Sequence, residues 1–492
     1  MRSTVTAMAA RMAHRHPRTY LAGNAVLAIL GYAYLSAFPM LTLLALGALA
    51  LRLTGAPLSA DWPMTAALAL AGAAGVAFNY TLMRLHPAHS SGHSVGRAEA
   101  SELWDLVDDI RRHYASRLLP GGPVIHDICI TPQAELELMA VPRWGLPLMY
   151  TRTLLVGLPL LQTVAPHQFE ALLARKIGQC SGRGDPLGAW LYRLRQVWSV
   201  YENPPPLRPA IFRLAFTAFF KWYAPLFRLV SSAAARDYEF RGDRYAFEFS
   251  SYEDAIDALC AQAVSTRFLE DKFWPAFERL SRAVPRPTRL PYVSLERAFV
   301  KGVKQSETAS WLRKAWVLTG TQGDPMPSLR ERLEQICDYR PRSYTKPSET
   351  AANLYLRSTV LAILTSRMDR EWLTENLSAW RKRYAQRKHA DQQLAALRRR
   401  REGTMSSSEI KRYLALVKAN YDGRSAAALY RDLIAAHPDN AKVLFIAGQR
   451  LAGLGDQAGV EALERAMAVD ERCADTACKL ISKFNLRQRQ AA

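Results

Sequence analysis

The sequence predicts a mainly α protein in three parts: an N-terminal transmembrane helical hairpin, an α+β domain with a small sheet, and C-terminal α-helical repeats. Three observations predict this. Residues 20–52 and 62–84 are apolar runs, each long enough to cross a bilayer as a helix. Residues 124–156 hold the only strand-like patterning in a chain otherwise helical in period. The tail repeats itself at an interval of 34 residues. A chain of 492 residues is too long for one core, and its 49% apolar and 22% charged residues exclude general disorder.

Residues 1–19 form a basic N-terminus with Arg2, Arg11, Arg15 and Arg18. The first span is longer than one upright crossing needs, so it tilts, kinks at Pro39, forms a re-entrant pair or extends beyond the hydrocarbon. It is too long for a cleavable signal, and no small-x-small site ends it. Arg84, Arg97, Arg111 and Arg112 follow the second span, whereas the loop between the spans carries only Arg52 and Asp61. The positive-inside rule then places both ends and the soluble domains in the cytoplasm, with a short loop outside. The alternative is a pair of buried core helices. Net charge of +21 suits an anionic partner. The acidic face of a bilayer accounts for it, so nucleic acid is not expected.

In the soluble part a helical stretch over 98–118 precedes a turn at Pro120-Gly121-Gly122-Pro123. Residues 124–131 read as a strand, and 136–156 as further short strands with a turn at Pro142 to Gly145. From Pro166 the chain turns helical, with Phe169, Leu172, Leu173 and Ile177 at helical spacing. Residues 209–230 are aromatic but broken by Arg213, Lys221 and Arg228. That suits an amphipathic helix on the membrane or capping the core rather than a third span. Residues 346–405 form a basic helical connector, with 13 Lys+Arg against 6 Asp+Glu over 346–402: a solvated helix, or one that meets anionic headgroups. Over 406–492, Asp422, Leu429, Arg431 and Leu433 recur as Asp456, Leu463, Arg465 and Met467. A 34-residue period is the tetratricopeptide length. Two units need neighbours, either the preceding helices or a helix at 472–485.

Six cysteines (Cys129, Cys180, Cys260, Cys337, Cys473, Cys478) with no C-x-x-C pair exclude a disulfide scaffold and a zinc ribbon. His86, His89 and His93 sit in loop-like sequence without acidic partners and make a weak metal site. His167 with Glu170 reads as an ordinary helix start. Ser181 and Ser231-Ser232 lack an evident histidine and acid for nucleophilic chemistry.

The order strand, edge hairpin, helix, second helix over 124–182 and 236–246, extending to Ser328-Leu329-Arg330-Glu331-Arg332, resembles the membrane-bound zinc endopeptidases of the CAAX prenyl endopeptidase and bacterial heat-shock membrane protease type. Gly188-Ala189-Trp190-Leu191-Tyr192-Arg193-Leu194-Arg195-Gln196 and the repeat tail resemble a bacterial subgroup with two N-terminal spans and tetratricopeptide repeats. The resemblance implies a zincin-like domain over 97–345 and a bacterial inner membrane. That family needs H-E-x-x-H on a helix, two histidines binding zinc and a glutamate activating water. The matching helix reads Ala171-Leu172-Leu173-Ala174-Arg175-Lys176-Ile177-Gly178-Gln179. Arg175 and Gln179 therefore stand at the ligand positions and Lys176 at the base position. Glu239-Phe240-Arg241-Gly242-Asp243 retains the third-ligand glutamate and the outer aspartate, while Met326 stands where the family's T-H-P stretch has histidine.

Arginine has no lone pair for zinc, Lys176 has the wrong sign for a base, and one good ligand cannot hold catalytic zinc. No catalytic residue, no metal and no cofactor are therefore expected. Glu239 and Asp243, if still enclosed, need another cation, and Arg175 is placed to give it as an Arg175–Glu239 salt bridge; the alternative is an opened pocket with both side chains solvated. The expected function is polypeptide binding or scaffolding, with the bilayer and a polypeptide held by the groove or the repeats as partners. An active metalloendopeptidase with non-standard ligands is one alternative. A membrane-tethered tetratricopeptide adaptor with a relic zincin domain is the other.

Overall fold

The structure, a computed structural model, describes residues 2–55, 62–83, 92–115, 121–142, 150–202, 210–318, 326–335, 344–399, 406–421 and 423–491. It is mainly helical with one small mixed sheet, and it divides into two compact units: residues 1–275 with 289–372, and residues 276–288 with 373–492.

The first unit begins with α1 (Arg2–Arg15), α2 (Pro17–Gly55) and α3 (Trp62–Met83). Helices α2 and α3 are long and apolar enough to cross a membrane. Leu41, Leu44 and Leu70 are more than 60% exposed, which a soluble core helix would not allow and lipid would. α2 runs unbroken through Pro39 for 39 residues, about 58 Å at 1.5 Å per residue, so it is one helix and not a re-entrant pair. It crosses α3 at small residues: Gly75 lies against Thr42, whose Oγ1 accepts from Asn79 Nδ2 at 3.0 Å.

Strands β1 (His93–Ser94), β2 (Asp127–Thr131), β3 (Leu136–Pro142) and β4 (Tyr150–Gly157), with α4 (Ser101–His113) between the first two, form a sheet of order β1-β2-β4-β3. β2 and β4 run parallel, and the other pairs antiparallel. β1 has no alternating stretch long enough to signal a strand. Ile128, Ile130, Leu154 and Val156 put fully buried branched side chains at the sheet centre. β3 is an edge strand, paired with β4 from Leu136↔Val156 to Pro142↔Tyr150.

After the single turn α5 (Leu158–Leu161) come α6 (Pro166–Ser181), α7 (Pro186–Glu202), α8 (Ala210–Val230), α9 (Ser232–Phe249) and α10 (Tyr252–Phe268). α6 opens with Pro166 in its first turn and Gln168 Oε1 accepting from Ala165 N at 2.9 Å. It closes at Gly182, whose φ of 65° is left-handed. α8 buries Phe220, Tyr223 and Phe227 against α2 and α7 and exposes Trp222. Tyr223 Oη donates to Leu27 O at 2.6 Å and Tyr20 Oη to Val230 O at 2.7 Å, so the first half of α2 is joined to this unit. A five-residue π turn (Leu269–Phe273) leads to α11 (Trp274–Ala283), then α12 (Pro291–Val300), α13 (Gln305–Val317), α14 (Leu329–Glu334), α15 (Ala351–Tyr355) and the 42-residue α16 (Ser358–Arg399).

In the second unit α17 (Ser407–Asn420), α18 (Gly423–Ala436), α19 (Ala441–Gly453), α20 (Ala458–Val469) and α21 (Ala474–Ala491) follow the end of α16. Tyr413, Val417, Leu433, Val443 and Leu451 share one core with Leu394 and Leu397 of α16. A second cluster joins Val460 and Leu463 to Ala477 and Phe484 of α21. The two sequence repeats are thus flanked by apolar packing on both sides. Asp422, which opens the repeat pattern, lies outside the described residues, as do His86, His89, Cys337 and the sequence from residue 143 to 149 after the expected turn at Pro142.

Candidate functional site

The site is built where α6 crosses α9. Residues four apart share a helix face, so Arg175 and Gln179 of α6 look toward Glu239 and Asp243 of α9. The crossing is close because small residues line it. A Cβ on Gly178 would sit 2.5 Å from Tyr245 Cβ, and one on Gly242 would sit 2.4 Å from Gln179 Nε2. Leu172, Leu173, Ala174 and Ile177 anchor the other faces of α6 in the core.

At the crossing the charged groups form one closed network. Arg175 Nη2 pairs with Glu239 Oε2, and Arg175 Nε donates to Asp243 Oδ1 at 2.8 Å. Arg332 of α14 grips Asp243 from the other side, Nη2 to Oδ1 at 2.6 Å and Nε to Oδ2 at 3.0 Å. Tyr192 of α7 donates to Glu239 Oε1. Gln179 Nε2 donates to Tyr238 O at 3.2 Å and reaches Glu239 Oε2 at 3.4 Å. Arg175, Glu239 and Asp243 are each 2% exposed and Arg332 is 7%. Two guanidinium groups therefore cancel two carboxylates out of water, with every carboxylate oxygen taken.

Electrostatics follow from that arrangement. Burial pushes the Glu239 carboxyl up, but Arg175, then Lys176, the Tyr192 hydrogen bond and Arg332 together outweigh it and hold the group down at about 2. Asp243 is likewise lowered, burial being overcome by Arg332 and then Arg175. Burial works against the Arg175 charge, yet Glu239 and Asp243 raise its pKa above the ordinary value. Burial and the Glu239 charge raise Tyr192 well above the usual phenol range.

Lys176 lies one residue round the helix and makes no bond within the network, while its charge helps Arg175 hold the Glu239 carboxyl down. It is partly buried in a small cleft of about 20 Å³ between β3, α6 and α7, with Leu138 and Ala140 on one wall and Tyr192 and Arg193 on the other. Among the described residues no hydrogen bond or ion pair reaches it. Its pKa is lowered, first by burial and then by the like charge of Arg175.

β3 flanks this cleft with its open side. Gly157 N donates to Glu135 O at 2.7 Å, which fixes the alternation of the ladder. Glu137 and Met139 bond across to β4, and the backbone groups of Leu138 and Ala140 turn to the edge. Among the described residues nothing bonds to those edge groups.

The donor set does not fit the zinc that the family resemblance implies. Glu239 has both oxygens engaged, Arg175 fills the ligand face with a permanently charged group, and Gln179 is a weak donor committed to a carbonyl. Among the described residues no group of three His, Cys, Asp or Glu is placed to hold a metal ion. Met326 is about half exposed and belongs to no such group.

The other candidates are separate. His93 lies on β1, with Nε2 3.3 Å from Glu371 Oε2. Glu170 Oε1 accepts from Tyr355 Oη at 2.5 Å, and His167 is exposed. Ser181 donates to Gly178 O within α6, and Ser231 and Ser232 donate to the Phe227 and Leu229 carbonyls at the end of α8. Tyr192 and Arg332 fall inside motif stretches quoted from the sequence, yet their roles carry no local signal: each reaches its partner through the tertiary fold. The chain matches no protein-family model, no curated protein and no solved structure.

Proposed function

We propose that this protein is a membrane-anchored, non-hydrolytic polypeptide-binding protein built on a zinc-peptidase-like frame. α2 and α3 serve as the anchor, and the Arg-rich flanks favour a cytoplasmic face for the soluble units, in a bacterial inner membrane. The observation that carries the reading is the closed Arg175–Glu239–Asp243–Arg332 network beside a strand edge left open among the described residues. A metal-activated water has no place in a network whose carboxylates are all spent on guanidinium, tyrosine and glutamine donors. An open strand edge still takes an extended segment by main-chain pairing.

Proline at position 140 tests it. The Ala140 N–H faces the edge, so Ala140→Pro removes a docking donor without breaking a ladder bond. The full chain in lipid nanodiscs should bind extended fluorescent peptides, measured by anisotropy, and Ala140→Pro should abolish binding while the melting temperature changes little. A specific observation favours a second site as well. Among the described residues the second unit has a polar hollow of about 600 Å³ lined by Ala427, Arg431, Asp456 and Gln457, and tetratricopeptide-like helix pairs commonly bind peptides in such hollows. Peptide binding that survives Ala140→Pro would move the function there.

A further inference from the structure

We propose that the cleft beside β3 is a carboxylate-reading subsite, in which Lys176 and Arg193 select an extended segment that carries a carboxylate at the position opposite Ala140. The inference rests on the polypeptide-binding reading and adds the chemistry of the ligand to it.

Arg175 and Arg332 are fully used by Glu239 and Asp243. That leaves Lys176 with no hydrogen-bond or ion-pair partner among the described residues. Arg193, on the facing wall, donates Nη1 only to the Cys180 carbonyl at 3.3 Å, lies 5.9 Å from the Tyr150 ring, and keeps a buried Nε with no acceptor. Arg195, two residues further on, spends Nη1 on Arg228 O and Ser231 Oγ. The acid nearest on the strand, Glu137, forms no ion pair among the described residues. Two cations therefore face one cleft with no anion at ion-pair distance among the described residues, Glu239 and Glu137 acting on Lys176 only from further off, and partly buried cations of this kind are stabilised by an anion that enters with its own donor geometry satisfied.

Size narrows the ligand. About 20 Å³ admits roughly one water-sized group, so the cleft takes a carboxylate oxygen and not a ring. Leu138 and Ala140 line the cleft and also carry the open N–H and C=O groups of the edge, so main-chain pairing and carboxylate capture act on one segment. The carboxylate is either an Asp/Glu side chain or the C-terminus of the segment.

Three fluorescein-labelled seven-residue peptides of one apolar sequence separate these outcomes: central Glu with a C-terminal amide, central Gln with an amide, and central Gln with a free C-terminus. Each is titrated by anisotropy against the full chain in neutral-lipid nanodiscs. We expect one carboxylate peptide to bind roughly tenfold or more tighter than the neutral one. The Glu amide winning identifies a side-chain reader, and the free acid winning identifies a C-terminus reader. Lys176→Met should erase the difference and leave neutral-peptide affinity intact, while Lys176→Arg should retain most of it. If Lys176→Met does not fold, the comparison among wild-type peptides decides alone. Equal binding of all three peptides overturns the subsite and leaves polypeptide binding standing. Binding of none overturns both.

Discussion

Replacing Arg175 with methionine keeps the length of the side chain and removes its charge. Asp243 still holds both bonds from Arg332, so it stays compensated. Glu239 is different: it keeps Tyr192 and the long contact from Gln179 but loses the only cation bonded to it. Breaking a buried pair on one side costs about 3–5 kcal/mol, and the cost here falls on Glu239. For a unit of roughly 350 residues, with about 2 cal/mol/K of unfolding entropy per residue, that is a fall in melting midpoint of roughly 4–7 °C. Arg175→Met, Glu239→Gln and the double variant are compared by tryptophan fluorescence during thermal unfolding of the full chain in nanodiscs. The double variant should recover at least half of the Arg175→Met loss, because no buried charge is then left unpaired at Glu239. Additive losses, or an Arg175→Met loss below about 1 kcal/mol, would mean that the pocket is wet and the pairing idle.

Four further outcomes follow from the same geometry. Glu239 has a folded pKa lowered from 4.5 to about 2, so its stabilisation is complete above 4.5 and is lost as pH falls toward 2; acid titration of stability should show that slope in the wild type and a weaker one in Glu239→Gln. Tyr192→Phe removes a hydrogen bond to a buried carboxylate and should cost about 1.5–3 kcal/mol by denaturant titration. Gly178→Ala would drive a methyl to 2.5 Å from Tyr245 Cβ and should cost about 1–3 kcal/mol by the same titration, whereas Gly184→Ala, with nothing near its Cβ but a φ of 77°, should cost only the backbone strain. The triple change Arg175→His, Lys176→Glu and Gln179→His rebuilds a three-ligand set with Glu239, and metal analysis of that variant should find zinc bound.

Long-range periodicity made the broad fold legible. Two apolar runs, a helical period from Pro166 onward and a strand-like stretch around 124–156 correspond to α2 and α3, α6 and its successors, and β2 to β4. The two-residue strand β1 was not legible, because two residues hold no period. The continuity of α2 past Pro39 was not legible either, since proline signals a break or a kink unless the surroundings hold the helix together.

At the site, the family resemblance singled out Arg175, Gln179, Glu239 and Asp243, and the four-residue spacing put each pair on one helix face. Charge balance favoured a bridge between them but left a solvated pocket open as a reading; in the structure the groups are enclosed. Arg332 could not be singled out. It is one of 65 Lys+Arg, and what aims it at Asp243 is the capping of α14, where Ser328 Oγ accepts from Glu331 N at 3.3 Å, together with the pairing of Arg236 with Glu331. Tyr192 is hidden for the same reason, as its hydroxyl meets Glu239 only through the packing of α7 on α9.

The most direct test is the metal content of the full wild-type chain, purified with zinc present and then dialysed free of loose ions. A guanidinium that occupies the ligand face predicts zinc well below one equivalent, unchanged by chelator. One tightly held zinc per chain, lost together with a proteolytic activity on chelation, would contradict the account.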